Sequence, residues 1–162
     1  PPLIIMNAGP LEHYDAWDIH NEGTQPSVRG VTDVLDSERI QVREALGYGA
    51  PHFPLADHYD DAREEWMYGN SSHERLTDSG DWREHINLLE HRYMREDTAI
   101  GLSFLTSVGR FAGVEMPVAA GILAIASAIV KTDLCAGGRT LETLGLSGLD
   151  AVAWQALLRE GP

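Results

Sequence analysis

TQPSVRGVTDVLDSERIQVREALG, residues 24–47, is the stretch that decides the fold class. Val28, Val31, Leu35, Val42 and Leu46 recur at the spacing that gathers apolar side chains on one face of an α-helix. The ends carry matching signals: Thr24 or Ser27 suits an N-cap, Pro26 suits the first turn, and Gly47 and Gly49 suit the stop. A helix over 24–47 is therefore predicted. Strand signals are nearly absent from the rest of the chain, so the surrounding segments are read for helices as well.

Moving outward, YGAPHFP is a turn, LADHYDDAREEWMYG carries one or two short helical pieces, and NSSHERLTDSGD at 70–81 reads as an exposed loop. WREHINLLEHRYM suggests a further short helix. Asp97 or Thr98 can start the next one, AIGLSFLTSVGRFAG, which stops near Gly113. Pro117 opens VAAGILAIASAIVK, the most apolar segment. Its Ala, Gly and Ser positions allow close approach on several sides, so about 117–131 is expected to be a buried central helix. CAGGRT is a turn, TLETLG a short helix, and SGLDAVAWQALLREG a final amphipathic helix capped by Ser147. The expected fold class is all-α, a compact bundle of five to seven helices. With 162 residues and no dividing linker, the chain is expected to be one domain, 1–162.

Twenty-five acids stand against 12 bases, a formal charge of −13. That field repels phosphate backbones and anionic lipid, so no nucleic acid and no membrane partner is expected. The longest apolar run, 116–130, is too short for a bilayer. Cys135 has no second cysteine to pair with, which fits a reducing, cytoplasmic setting. The chain opens PPLIIMNAGP, apolar and without an initiator methionine, and is expected to be the later part of a longer polypeptide.

Seven histidines invite a metal site, but His52 and His58, and likewise His85 and His91, are six apart and fall on different sides of a helix. No HExxH, GxSxG, Walker loop or GxGxxG occurs, so no metal is expected and nucleophilic catalysis is unsupported. LEHRYMRED, 89–97, has two readings. Arg92 and Glu96 can pair at i, i+4 and Asp97 can cap the following helix, which is purely structural. Alternatively, Arg92 offers a planar fork to a carboxylate and Asp97 holds an ammonium or guanidinium, both facing one hollow that suits a zwitterion.

PPLIIMNAGP, EGTQPSVRGVTDVLDSERIQVREALG, HRYMREDTAIGLSFLTSVGRFAGVEMPV and GRTLETLGL occur in this order and at suitable distances. Together they resemble the α-helical C-terminal domain of the octopine/nopaline (opine) dehydrogenase family. Gln25 and Arg43 are small departures, and Thr98-Ala99 stand where the family often has Val-Pro. The resemblance implies a two-domain NAD(P)H-dependent oxidoreductase. An N-terminal Rossmann domain, absent here, would bind NAD(P)H, and the helical domain would bind a small-molecule amino acid (or related amine) and an α-keto acid for reductive amination; a homodimer is allowed. By itself this chain should not turn over.

The resemblance carries the family's substrate-binding arginine onto Arg92 and its acidic partner onto Asp97. Asn7 and Thr24 would line the cleft, with turn-forming and capping work as their structural alternative. The family's catalytic histidine would lie in an HP step directly before Pro1. Trp66 or Trp82 could shape the amine pocket, and His13 and His20 are substitutes for the missing acid/base that nothing in their spacing supports. Two other functions compete: a stand-alone helical dimerisation or interaction module without catalysis, and the helical domain of a ketopantoate- or hydroxyacid-type reductase.

Overall fold

A computed structural model describes residues 1–60, 62 and 82–161. Its elements are α1 (Pro2–Met6), α2 (Ala8–His13), α3 (Pro26–Ala45), a 3-10 turn (Leu55–Tyr59), a π-helical coil α4 (Tyr93–Leu102), α5 (Ser103–Ala112), α6 (Pro117–Val130), α7 (Leu134–Gly137) and α8 (Ala151–Glu160). No strand forms among the described residues. The pairing outside helices is a single antiparallel bridge between Trp17 and Glu84. The fold is all-α.

The 24–47 helix stands, slightly shortened. Pro26 occupies its first turn, but the residue before it is Gln25, and no side chain caps that end. Val28, Leu35 and Val42 are buried on its inner face, and Glu38 is buried among them. That carboxylate receives the Val118 N–H at 2.8 Å and the Ala119 N–H at 2.9 Å. These are two of the amides that the start of α6 leaves without an intrahelical partner, and the helix dipole favours an anion there.

The expected central helix departs from its sequence reading. α6 touches α1, α3, α4, α5 and α7, as a central helix should. Only one side is enclosed, by Ala119, Ile122, Leu123 and Ala126. Ala120, Gly121, Ala124, Ile125 and Ala128 face outward, with Ile125 53% exposed. Uniform apolar character hides which side faces the core, because a period can be read only where polar residues alternate with apolar ones.

Three further expectations are corrected. WREHINLLEHRYM is not a helix over its first half: Trp17 and Glu84 exchange backbone hydrogen bonds at 3.0 and 3.4 Å, and Asn87 Oδ1 accepts the Leu89 and Glu90 N–H groups. This local side-chain turn competes with helix formation. Asp97 and Thr98 start no helix, because α4 runs through them into α5. The final helix is capped by Asp150, which accepts the Ala153 N–H at 2.8 Å, not by Ser147. α5 stops where expected, at Gly113, whose φ of +72° suits glycine. The expected helical pieces beyond Asp60, the 70–81 loop and Trp66 lie outside the described residues.

Candidate functional site

From Tyr93 onward the HRYMRED motif winds as a π-helix, a form often found at functional sites. Support is visible at both ends. His91 Nδ1 accepts the Tyr93 N–H at 3.2 Å, and Thr98, fully buried, donates its hydroxyl to the Tyr93 carbonyl at 2.6 Å. On an α-helix, residues five apart would point roughly 140° from one another. The wider coil narrows that angle from Tyr93 onward, with Arg92 at its N-cap.

Arg92 is exposed and lines a shallow hollow with Glu90, Arg95, Glu96 and Ile100. Arg95 pairs with Glu90 at 2.9 Å, and among the described residues no ion pair engages Arg92, so the proposed Arg92–Glu96 pair does not form. Asp97 lines a different cavity, with Pro1, Pro2, Leu35, Tyr93 and Leu105. The single hollow holding both charges is therefore corrected to two. Tyr93 stands between them. Burial raises its phenol pKa, the Arg92 charge lowers it, and the Asp97 charge raises it again. Asp97 Oδ2 is buried without a hydrogen-bond partner among the described residues.

Asn7 is buried and engaged within the domain. Its Nδ2 donates to the carbonyls of Leu3 at 2.8 Å and Gly23 at 2.9 Å, and its Oδ1 accepts Trp17 Nε1–H at 2.9 Å. The amide ties three segments together, and Gly23 is small for that reason: an added Cβ would lie 2.8 Å from Asn7 Oδ1 and 2.6 Å from the Ile19 carbonyl oxygen. Thr24 is buried and donates to the Ile19 carbonyl at 2.8 Å, while lining a polar hollow with His20, Gln25, Arg29 and Asp33.

His20, set aside on spacing alone, does reach a hollow. Its Nε2 lies 3.4 Å from the Tyr93 hydroxyl, and Trp82 packs edge-on against it at 5.3 Å. Burial lowers its pKa, against the pull of Asp18 and Glu84. His13 lines neither hollow and packs against Tyr14. Sequence reading missed Asp18, whose buried carboxylate accepts the His20, Asn21 and Trp82 N–H groups and the Asn21 side-chain amide. Burial pushes its carboxyl up, but those hydrogen bonds prevail and hold it below the ordinary range. An aspartate two residues before His20, with asparagine beside it, was a readable turn signal.

The sequence pattern of the NAD/NADP octopine/nopaline dehydrogenase α-helical domain matches residues 1–130 of this chain. The chain belongs to that family. An opine dehydrogenase of Arthrobacter sp. (strain 1C) is 33% identical over 158 residues, covering 93% of this chain. The chain spans 42% of that relative's length. The GRTLETLGL block lies beyond the family match, whereas the HRYMRED coil is inside it. Within this opine dehydrogenase domain, no helix of the described residues is long and apolar enough to cross a membrane. No group of three His, Cys, Asp or Glu side chains among them could hold a metal ion.

Proposed function

We propose that this chain is the substrate domain of an NAD(P)H-dependent opine dehydrogenase, which condenses an amino acid or related amine with an α-keto acid. A second, Rossmann-type domain belongs to the proposal, supported by the relative's greater length. When bound there, the nicotinamide would supply the hydride that reduces the imine. The described residues offer no Gly-rich turn between strand and helix to cradle its phosphates, a task that would fall to the second domain.

The observation that carries this reading is the start of the π-coil, where a guanidinium, a phenol and a carboxylate fall within seven residues, the first without an ion pair and the last with an unpartnered oxygen among the described residues. Arg92 would grip the carboxylate of a substrate through two parallel N–H bonds. Asp97 takes a different role from the one its sequence neighbours suggest. It lines a cavity with Pro1, and the resemblance would place the family's acid/base histidine directly before that residue. Its unpartnered oxygen would orient that imidazole and stabilise it when protonated.

Replacing Arg92 by alanine in the intact enzyme tests the assignment. KM for one carboxylate substrate should rise about 10- to 100-fold, from losing charge-assisted hydrogen bonds, while nicotinamide affinity stays unchanged. Unaltered steady-state kinetics would refute the role of Arg92.

A further inference from the structure

We propose that His20 is a positioning residue for Tyr93: a bare imidazole Nε2 takes the phenol's only proton and leaves its oxygen to accept from the amine substrate. The inference rests on the substrate-domain reading and deepens it. A phenol has one proton to give, while its oxygen can also accept. The Tyr93 hydroxyl lies 3.4 Å from His20 Nε2, so the protonation of that nitrogen decides which way the O–H bond points.

Both rings are held where this can happen. Asp18 Oδ1 accepts the His20 N–H at 3.1 Å, and Trp82 meets the imidazole edge-on at 5.3 Å. Tyr93 stands nearly perpendicular to that ring, at 85°. His91 packs edge-on against Tyr93 at 4.6 Å, and its Nδ1 accepts the Tyr93 N–H. The pair also joins two spaces. Tyr93 lines the cavity beside Asp97, of about 470 Å³, and His20 lines the polar hollow of Thr24 and Arg29, of about 540 Å³.

The surrounding groups favour these roles. Burial, with repulsion from His91, outweighs the pull of Asp18 and Glu84 and keeps the imidazole mainly neutral near neutral pH. Arg29 and Asp33 of α3 line the same hollow with opposite charges. Burial also holds the proton on the phenol, ahead of the charges of Arg92, Asp97, Glu84 and Tyr59. Arg92, the preceding residue, suits carboxylates. An acceptor beside it suits the N–H of an attacking amine, whose own lone pair is then aimed away from the tyrosine. Once His20 gains a proton, Nε2 donates instead. The phenol's O–H then turns toward the guest and meets N–H head-on.

Nitrogen-15 NMR on the 162-residue chain reads the pairing without turnover. At about pH 8, above the ordinary histidine range, His20 should carry its proton on Nδ1. Tyr93→Phe should move the Nε2 resonance toward that of a bare ring nitrogen. A proton on Nε2 at that pH, or a resonance indifferent to Tyr93→Phe, would overturn the inference.

In the intact enzyme, kcat/KM for the amine is compared between wild type and His20→Gln from about pH 5 to 8. Glutamine sets an acceptor near the place of Nε2 and does not titrate. The ratio of wild type to variant cancels the ionisation of the amine and of the other groups in the site. It should fall about fivefold, the worth of one hydrogen bond, as pH drops below the ordinary 6.5 through the folded value of His20. His20→Phe, which keeps bulk and loses the acceptor, should cost about fivefold at the alkaline end. Circular dichroism checks that the variants fold. A ratio independent of pH, or full activity in folded His20→Phe, would overturn the positioning role. The broader reading is judged separately, by opine formation in the intact wild-type enzyme.

Discussion

Glu38, in the middle of α3, holds the first turn of α6 by accepting the Ala119 N–H at 2.9 Å, 81 residues along the chain. One carboxylate thus ties together the two longest α-helices among the described residues. Its partner oxygen accepts from Val118, so both lone-pair systems are engaged. Replacing Glu38 by alanine leaves two buried amides unsatisfied and opens a void. A loss of about 3–4 kcal/mol is expected in urea unfolding of this chain, with Glu38→Gln recovering part of it.

Asp97 should show opposite effects on stability and on catalysis. A buried carboxylate oxygen without a partner is unfavourable in the domain taken alone. Asp97→Asn is expected to raise the unfolding free energy by about 1 kcal/mol, while lowering kcat of the intact enzyme at least tenfold. A variant with lower stability and full activity would show that the carboxylate serves the fold.

Lysine at position 92 separates charge from shape. If Arg92 grips a carboxylate through a planar fork, Arg92→Lys keeps the charge yet recovers little of the lost KM. Recovery to nearly wild-type values in steady-state kinetics would mean that the position acts as a point charge.

Gly23 and Asn7 form a tight contact, and both are sensitive to enlargement or truncation. Gly23→Ala should destabilise the chain by about 2 kcal/mol, because backbone and a fully bonded amide would have to shift. Asn7→Ala should cost a similar amount and redshift Trp17 fluorescence, since the indole N–H loses its acceptor.

Acid should weaken the segment that joins Asp18, His20 and Trp82. Burial sets the folded His20 below its ordinary value of 6.5, so the unfolded chain takes up the proton first. Stability is therefore full above about pH 6.5 and falls as pH drops through that value toward the folded one. Asp18, held below its ordinary 3.8, adds a second loss at lower pH, as its folded value is crossed. His20→Phe should flatten the first of these declines in unfolding free energy measured against pH, and leave the second.

The all-α class was legible because Val28, Leu35 and Val42 repeat on α3 with polar residues between them. The same stripe contains Glu38, but the sequence shows no reason for its burial: its partners lie 80 and 81 residues away. The 82–94 segment was misread for a similar reason, since Trp17 and Asp18 hold it extended from far away in the chain. Arg92 and Asp97 were visible as a motif, yet their relative directions were not. Direction follows from turns of i→i+5, and nothing in Tyr93–Leu102 announces that winding except Thr98, whose hydroxyl serves the Tyr93 carbonyl. Asn7 looked like a cleft residue because asparagine in a loop can serve either a ligand or the backbone. The positions of Leu3, Trp17 and Gly23, which sequence does not give, show its amide serving the backbone and an indole.

The wide coil also has a bearing on ancestry. Deleting one residue between Tyr93 and Leu102 could tighten it into an ordinary helix while leaving α5 seated, and would swing His91, Arg92 and Tyr93 by about 100°. Descendants with such a one-codon loss would keep a sound scaffold and present a different set of side chains at its mouth. New ligand preferences could then arise in a single genetic step, without first dismantling the core.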